Sequence, residues 1–288
     1  MSSGDHGGAD LAIWARELCK GYGDRQAVKD LDLQVERGEI FAVLGPNGAG
    51  KTTTTEILEG YRPRDAGEVR VLGQDPGTAG PVWRSRIGIV LQETGDFDEL
   101  TVDEVLRHFA RYYPAPLHPA EVAESVGLAD RRTARVSALS GGQRRRLDVG
   151  LGILGRPELL FLDEPTTGFD PEVRRQFWDL IAALRNAGTT VWLTTHYLEE
   201  AEHLADRVAV IVNGRVVAVD TPACLGGRHL AGATVGWRED DRTQELVTGS
   251  PAQVVQELSA RFGGDVPDLV VTRPTLEDIY LDMIGAQQ

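Results

Sequence analysis

An apolar run, Ile40 to Leu44, is followed immediately by Gly45-Pro46-Asn47-Gly48-Ala49-Gly50-Lys51-Thr52. This octet fits the pattern G-x-x-x-x-G-K-[ST], which is specific when it follows a strand and opens a helix. Its glycines allow backbone N–H groups to curl around phosphates, Lys51 adds a positive charge, and the Thr52 hydroxyl can ligate Mg²⁺. The stretch therefore predicts a phosphate-binding P-loop, and Thr53 is assigned to the same nucleotide-binding set.

A second apolar run, Leu159 to Leu162, ends in two adjacent carboxylates, Asp163 and Glu164. Ligands of α/β proteins bind at the carboxyl ends of the parallel strands, so both side chains are expected to face the P-loop crevice. Asp163 is expected to hold Mg²⁺, directly or through water, and Glu164 to polarise the water that attacks the γ-phosphate. Without the P-loop, an acidic pair that simply meets solvent would be an equally good interpretation.

A third motif, Leu139-Ser140-Gly141-Gly142-Gln143, precedes a helical stretch. Ser140 and Gln143 have the spacing of a capping box, which marks the start of a helix. A helix N-terminus that carries a hydroxyl and two glycines predicts a second anion site. In isolation, the same residues would be an ordinary flexible cap.

The distribution of apolar residues predicts an α/β fold. Short runs with few polar interruptions are typical of parallel strands covered on both faces; they are Ile40–Leu44, Ile87–Leu91, Leu159–Leu162 and Val191–Thr194. Leu31, Leu33 and Val35 alternate with polar residues, which favours an antiparallel sheet near the start. A mainly helical insertion, about residues 93–150, separates two of the core strands, and Thr101 with Glu104 predicts a capped helix start within it.

A change of pattern near Gly226 predicts a domain boundary. Residues 1–10 are rich in Gly and Ser and are expected to form a disordered leader, and residues 11–225 to form the nucleotide-binding domain. Within the latter, Asn213-Gly214 between two apolar runs predicts a two-residue hairpin. Residues 226–288 carry their own pattern of strand, helix and strand, which predicts a small α+β accessory domain.

Composition narrows the class of protein. The chain has 288 residues and a net charge of −14, and so acidic a surface argues against coating DNA or RNA, which relies on Lys and Arg. Cys19 and Cys224 are too few for a disulfide framework or a metal cluster and are typical of a reducing cytoplasm. No run of about 18 apolar residues is present, so the sequence predicts no membrane span.

The combination of motifs resembles the nucleotide-binding domain of ATP-binding cassette (ABC) ATPases. The matching positions, in chain order, are Gly45–Thr52, Gln92, the signature Leu139–Gln143, Leu159–Glu164, Asp170 and His196. In that family two domains enclose two ATP molecules head to tail, so each nucleotide meets the P-loop of one chain and the signature of the other. The resemblance therefore implies a P-loop NTPase fold, ATP and Mg²⁺ as ligands, and a homodimer or a heterodimer with a related ATPase.

The same resemblance implies functional roles for residues whose neighbouring sequence does not by itself indicate a function. Tyr22 is implied to stack on adenine, and Asp170 to lie in the loop that crosses the dimer interface. Gln92 is implied to contact Mg²⁺ and the γ-phosphate and to couple to a partner protein. His196 matches the switch histidine that contacts the γ-phosphate and positions Glu164, which makes ATP hydrolysis the implied activity.

The tail from Pro274 to Gly285 resembles the C-terminal segment of ATPases that serve drug and antibiotic exporters of the daunorubicin type. This implies a subunit that powers export of a drug, antibiotic or lipid-like substrate through separately encoded integral-membrane permease subunits. It would lie peripherally on the cytoplasmic face of the plasma membrane, with no nucleic acid partner. The alternatives are a soluble ABC ATPase that acts on ribosomes or DNA, and a regulatory nucleotide-binding module.

Two features that follow the signature have less specific interpretations. The basic run Arg144–Arg146 is expected to form a solvated helix face, with electrostatic help to nucleotide phosphates as the second interpretation. Gly150 and Gly152 interrupt the same helix, where glycine is less stable than alanine by up to roughly 1 kcal/mol. They either ease close packing or loosen the helix.

Overall fold

The computed structural model describes residues 11–90, 97–240 and 242–286. The chain divides into two compact units, and the division falls between Val219 and Asp220. The observed division lies a few residues before the expected boundary at Gly226. The assignment of residues 11–225 to nucleotide binding and of residues 226–288 to an accessory role stays a prediction. Within the described ranges, no helix is both long and apolar enough to cross a membrane.

Strands and helices are interspersed along the chain up to the division. Its strands are β1 (Leu11–Tyr22), β2 (Arg25–Glu36), β3 (Ile40–Leu44), β4 (Ala66–Val71), β5 (Ile87–Val90), β6 (Leu159–Asp163), β7 (Thr190–Thr194), β8 (Arg207–Val212) and β9 (Arg215–Asp220). Its helices are α1 (Lys51–Leu58), α2 (Pro81–Arg84), α3 (Val102–Ala110), α4 (Pro119–Ser125), α5 (Gly141–Ile153), α6 (Pro171–Asn186) and α7 (Leu198–Leu204).

A six-stranded sheet in the order β5-β6-β7-β3-β8-β9 forms the core of the first unit. The pairs β5-β6, β6-β7, β7-β3 and β3-β8 are parallel, and β3 is buried along its whole length. Because strands covered on both faces need continuous apolar runs, the four runs in the sequence form β3, β5, β6 and β7, as predicted. The segments after β3, β6 and β7 therefore emerge at the same edge of the sheet.

The predicted antiparallel sheet is confirmed as β2-β1-β4. Leu31, Leu33 and Val35 of β2 are buried while the residues between them are exposed. The predicted hairpin joins β8 to β9, and its central residues Asn213 and Gly214 have φ values of 51° and 83°. Positive φ at both positions is what a type I′ turn requires.

Close packing explains the glycines of α5. A Cβ atom added at Gly152 would lie 2.7 Å from Cγ2 of Val90, and one at Gly88 on β5 would lie 2.2 Å from the carbonyl oxygen of Gly152. Strand and helix thus approach more closely than side chains permit. A Cβ atom added at Gly150 would lie 3.2 Å from Cγ1 of Val122 on α4. Of the two interpretations of these glycines, close packing is the one that the structure supports.

The second unit combines strands β10 (Ala233–Glu239), β11 (Arg242–Thr248) and β12 (Val270–Thr272) with helices α8 (Pro251–Phe262) and α9 (Leu276–Gly285). Its antiparallel sheet has the order β11-β10-β12. Gly226 and Gly227, with φ values of 59° and 78°, form a compact turn. A Cβ atom at Gly226 would lie 2.3 Å from Cε of Met283, so α9 packs against this turn within its own unit.

Gly88→Ala should destabilise the first unit, because the added methyl group would collide with the backbone of α5. We expect the free energy of unfolding, measured by urea denaturation, to fall by about 1–3 kcal/mol, the usual cost of overpacking a core. Gly80→Ala is the control, since a Cβ atom there meets no atom of the described residues within 4 Å. An equal loss in both variants would contradict the packing assignment.

Candidate active site

The predicted P-loop joins β3 to α1, and its surroundings leave no room for side chains at two of its glycines. A Cβ atom at Gly45 would lie 2.2 Å from the carbonyl oxygen of Ile211, and one at Gly50 would lie 2.3 Å from that of Ala27. Gly48 and Gly50 have φ values of 77° and 107°, which glycine alone adopts readily. The glycine pattern is therefore a requirement of this backbone path. Within the part of the chain that the structure describes, no side chain caps the N-terminus of α1.

Lys51 is buried at the start of α1. Its ammonium group donates hydrogen bonds to the carbonyl oxygens of Gly45 at 2.6 Å and Pro46 at 3.3 Å. Burial lowers the pKa of Lys51, and the nearby charges of Glu164 and Asp163 oppose that shift. The side chain thus holds the curled loop from inside while its charge stays beside the acidic pair.

A cavity of about 430 Å³ opens in front of the P-loop. The lining residues are Tyr22, Arg25, Ala27, Asn47, Gly48, Gly50, Lys51, Thr52, Thr53 and Glu164. Of the predicted group formed by Tyr22, the P-loop and Thr53, the cavity brings together all but Gly45, Pro46 and Ala49, which shape the loop without being part of this lining. Arg25, which sequence reasoning missed, donates a hydrogen bond to the carbonyl oxygen of Gly48 at 2.8 Å and braces the loop from β2.

The acidic pair lies at the carboxyl end of β6, as predicted. Asp163 accepts a hydrogen bond from the hydroxyl of Thr194 on β7. The N–H group of Glu164 donates to the carbonyl oxygen of Thr194 at 3.0 Å. Glu164 has a φ of 44°, a left-handed conformation that costs a non-glycine residue about 1–3 kcal/mol and persists only where neighbours impose it. The base candidate is therefore held in one strained conformation.

His196 follows β7 and contacts the base candidate directly. Its Nδ1 atom lies 3.2 Å from Oε2 of Glu164. The imidazole packs on the ring of Tyr197 with centroids 4.1 Å apart, and the guanidinium of Arg174 lies 4.6 Å from the Tyr197 centroid. The two residues predicted to act together on the γ-phosphate are thus neighbours in the structure.

Tyr22 ends β1 at the rim of the cavity, with 42% of its surface exposed. The guanidinium carbon of Arg62 lies 5.3 Å and the ammonium of Lys20 lies 5.7 Å from the ring centroid. Cations at these distances orient an aromatic ring. The exposed ring suits the predicted stacking on adenine.

The signature forms the N-terminus of α5, and its predicted capping box is confirmed. The Ser140 hydroxyl accepts a hydrogen bond from the N–H of Gln143 at 3.3 Å, and Oε1 of Gln143 accepts one from the N–H of Ser140 at 3.1 Å. Because the hydroxyl is an acceptor in this bond, its own hydrogen can still be donated to an anion.

A second cavity, of about 640 Å³, lies at the signature. The lining includes Ser140, Gly141 and Gly142 together with residues of the loop from Glu164 to Asp170. Asp170 caps α6, because one of its carboxylate oxygens accepts hydrogen bonds from the N–H groups of Glu172 at 3.1 Å and Val173 at 2.9 Å. Gln92 lies outside the described residues, so its predicted place beside the nucleotide stays a prediction.

The prediction of a solvated face for Arg144–Arg146 is wrong for its central residue. Arg145 is only 7% exposed and donates hydrogen bonds to two backbone carbonyls, that of Asp163 at the end of β6 and that of Pro165 in the loop that follows. It precedes the buried Val149 and Gly152 by one and two turns, which places it on the inward stripe of α5. The three consecutive charges indicated a face exposed to solvent, whereas the helical spacing of Arg145 from Val149 and Gly152 indicates that its side chain is buried.

A site of this kind, with a P-loop, an acidic strand end and a contacting histidine, defines a nucleotide-hydrolysing protein. The sequence profile described as ABC transporter matches residues 28–167. The chain is 37% identical to the daunorubicin resistance ATP-binding protein DrrA3 of Streptomyces coeruleorubidus, over 96% of this chain and 97% of the relative. It is 36% identical to the Nod factor export ATP-binding protein I of Rhizobium sp. (strain N33), over 96% and 98%. The chain belongs to the ATP-binding subunits of ABC transporters and is an ATPase.

Solved structures confirm the predicted fold class. An ATP-binding subunit of an ABC transporter superposes with a TM-score of 0.69 over 94% of this chain and 99% of that chain, at 22% identity. A dimeric cassette solved in a post-hydrolysis state with ADP and phosphate gives 0.65 over 73% and 98%, also at 22% identity. The resemblance to ABC ATPases, inferred from spaced motifs, is confirmed by the sequence profile and the relatives.

Glu59, directly after α1, is a buried carboxyl group behind this site. Burial raises its pKa to about 8, and the charges of Asp163 and Glu56 add to the effect. Between its ordinary value of 4.5 and about 8, the folded chain binds a proton that the unfolded chain has lost. The free energy of unfolding should therefore fall as the pH rises through this window.

Glu59→Gln should remove that dependence, because glutamine does not titrate. We expect the stability of the variant relative to the native protein to rise between about pH 5 and 8, by at most about 1.4 kcal/mol per pH unit. Urea denaturation at a series of pH values measures the difference. Glu68→Gln, at an exposed position of β4, is the control and should change stability by less than about 0.5 kcal/mol. If the difference in unfolding free energy between Glu59→Gln and the native protein does not vary with pH, the raised pKa of Glu59 is contradicted.

Proposed function

We propose that this chain is the ATP-hydrolysing subunit that powers export of a drug, antibiotic or lipid-like substrate through separately encoded membrane permease subunits. One observation carries the hydrolytic part: Glu164 and His196 are in contact beside the cavity in front of the P-loop. A carboxylate oriented by a histidine is an arrangement suited to activating water. The pairing supports turnover of ATP over a regulatory module that only binds it.

ATP binds with its triphosphate along the P-loop and its adenine against Tyr22. The uncapped N–H groups at the start of α1 donate to the phosphates. Lys51, which is already held at the loop by Gly45 and Pro46, turns its ammonium to the phosphate oxygens. The strong positive field of the helix start and the lysine favours a polyphosphate over an uncharged ligand.

Mg²⁺ fits the residues present. Thr52 offers a hydroxyl in the cavity lining, and Asp163 offers a carboxylate that Thr194 orients. Magnesium is usually bound by one or two carboxylates while phosphates and waters complete its shell, and Gln92 is proposed as a further ligand. The bound ion would neutralise charge on the β- and γ-phosphates.

Glu164 acts as the general base. It accepts a proton from a water whose oxygen bonds to the γ-phosphorus while the bond from that phosphorus to the bridging oxygen breaks, which yields ADP and phosphate. His196 holds the carboxylate through Nδ1 and keeps Nε2 for the γ-phosphate. The strained backbone at Glu164 fixes where its side chain begins, and the contact with His196 orients the carboxylate.

A second copy, or a related ATPase, supplies the signature. Among the described residues of one chain, the linings of the P-loop cavity and the signature cavity have only Glu164 in common. This separation supports a head-to-tail dimer in which Ser140, Gly141, Gly142, Gln143 and Asp170 meet the nucleotide bound to the other chain. ATP closes the dimer and hydrolysis reopens it, which moves the permease.

The relatives support export. Besides the daunorubicin resistance and Nod factor export proteins, the linearmycin resistance ATP-binding protein LnrL of Bacillus subtilis (strain 168) is 38% identical over 77% of this chain and 73% of its own length. We assign the chain to the same class, bound to permease subunits at the cytoplasmic face of the plasma membrane. Residues 11–225 carry the ATP chemistry and residues 226–288 are accessory.

Glu164→Gln should lower steady-state ATP hydrolysis at least about a hundredfold, because an amide cannot accept the proton. ATP binding and ATP-driven dimers should persist, since the P-loop and the signature are unchanged. Phosphate release measures the rate of hydrolysis, and size-exclusion chromatography with and without ATP measures the ATP-driven dimer. Glu121→Gln, at an exposed position of α4, should behave as the native protein. Normal turnover in Glu164→Gln would overturn the base assignment.

Tagged Glu164→Gln protein, incubated with ATP and detergent-solubilised membranes of the source organism, should retain a multi-span membrane protein identifiable by mass spectrometry. The same protein carrying Lys51→Ala is the control, because its nucleotide-driven closure should be lost. Recovery of ribosomal or DNA-associated proteins alone would contradict the export assignment and leave the ATPase chemistry intact.

A further inference from the structure

Arg145 is a buried charge that the chemistry above does not use. Its Nε atom donates a hydrogen bond to the carbonyl oxygen of Pro165 at 3.0 Å, and Nη2 donates one to the carbonyl oxygen of Asp163, also at 3.0 Å. These carbonyls belong to the residues immediately before and after Glu164. A single guanidinium therefore holds the backbone on both sides of the base.

The backbone at Glu164 needs such restraint. Its φ of 44° is unfavourable for a residue with a side chain, and without restraint the segment would relax. The N–H group of Glu164 is fixed from β7 by the carbonyl of Thr194 at 3.0 Å. Arg145 supplies the opposing restraint from α5, so the peptide group between Asp163 and Glu164 is held at both its carbonyl and its N–H, and the carbonyl of Pro165 is held after the base.

The residue type suits this task. Arginine presents its N–H donors in a rigid planar fork, whereas the lysine ammonium is a point charge on a flexible stem. The remaining nitrogen, Nη1, lies 3.8 Å from Oδ2 of the buried Asp148. Burying a charge in order to hold two neutral carbonyls is costly for folding, so stability alone is a weak reason for an arginine here.

Arg145 also connects the base to the signature. It lies five residues after Ser140, the N-cap of the same helix, which corresponds to about 7.5 Å along the axis. A continuous α-helix transmits a displacement of its N-terminus to this position. The signature and the base belong to different nucleotide sites in the proposed dimer, so this side chain lies between the two sites.

We infer that Arg145 is a positioning residue, which holds Glu164 in its reactive conformation and ties that conformation to the position of the signature helix. The inference rests on the proposed function, because it requires Glu164 to be the base. In this role Arg145 acts on the base through the two carbonyls, and no contact with the attacking water or the nucleotide is required.

The test measures ATP hydrolysis and ATP binding separately in Arg145→Gln and Arg145→Lys. For Arg145→Gln, kcat should fall roughly tenfold to a hundredfold, the effect of displacing a reacting group by a fraction of an ångström to an ångström. KM for ATP and the affinity for trinitrophenyl-ATP should change less than about twofold, since the P-loop is untouched. Arg145→Lys keeps the buried charge and can reach one carbonyl, so it should recover part of kcat.

Arg146→Gln is the matched control on the same helix and should turn ATP over normally, because its side chain contacts Gln176 on the surface and not the loop after β6. In the Glu164→Gln background, Arg145→Gln should cause no further loss in single-turnover hydrolysis of γ-labelled ATP. Coupling of this kind shows that two residues act as one unit. A further loss equal to that in the native background would overturn the inference.

The remaining outcomes are equally decisive. Loss of ATP binding in proportion to turnover, or failure of both Arg145 variants to fold by circular dichroism, would make Arg145 a purely structural residue and overturn the inference. Normal kcat in both variants while Glu164→Gln is inactive would overturn the inference and leave the proposed function standing. Full activity of Glu164→Gln would instead remove the proposed function on which the inference depends.

Discussion

The site depends on the contact between two glycines and two backbone carbonyls. Gly45 meets the carbonyl of Ile211 and Gly50 that of Ala27, at distances that exclude any Cβ atom. These contacts hold the P-loop between β8 and β2, where Asn47, Gly48 and Gly50 line the cavity. The phosphate site therefore forms only when β8 lies beside β3 and the antiparallel sheet that contains β2 is in place. The hairpin after β8 is a further condition.

Strand pairing sets the chemistry at the same edge. Asp163 of β6 lies in register with Thr194 of β7, which orients the Asp163 carboxylate through its hydroxyl and anchors the N–H of Glu164 through its carbonyl. His196 follows two residues later and meets Glu164. One pair of adjacent parallel strands thus aligns the metal-ligand candidate, the base and the switch histidine, and a slip in their register would misplace all three.

Much of this could be predicted because the signals are local. The P-loop glycines, the apolar runs of the parallel strands and the capping boxes each appear within a few consecutive residues. β11 was missed because Arg242–Thr248 is largely exposed and carries little apolar alternation. The helical spacing of α5 indicates that Arg145 points inward, but the carbonyl groups of Asp163 and Pro165 that it meets are distant in the chain and could not be predicted from a local pattern. The raised pKa of Glu59 likewise depends on burial, and on the charge of Asp163, which only the folded chain brings close.

The hairpin at Asn213-Gly214 has a consequence for synthesis of the chain. The N–H of Gly214 donates to the carbonyl of Ala49 at 2.9 Å, and Ile211 packs against Gly45. The P-loop is therefore supported by residues that are synthesised much later. At roughly 5–20 residues per second, some ten to thirty seconds separate the two segments on the ribosome. During that interval the nascent chain has its phosphate-binding motif but lacks the support that shapes it. ATP can therefore assist folding only after nearly all of the first unit has emerged.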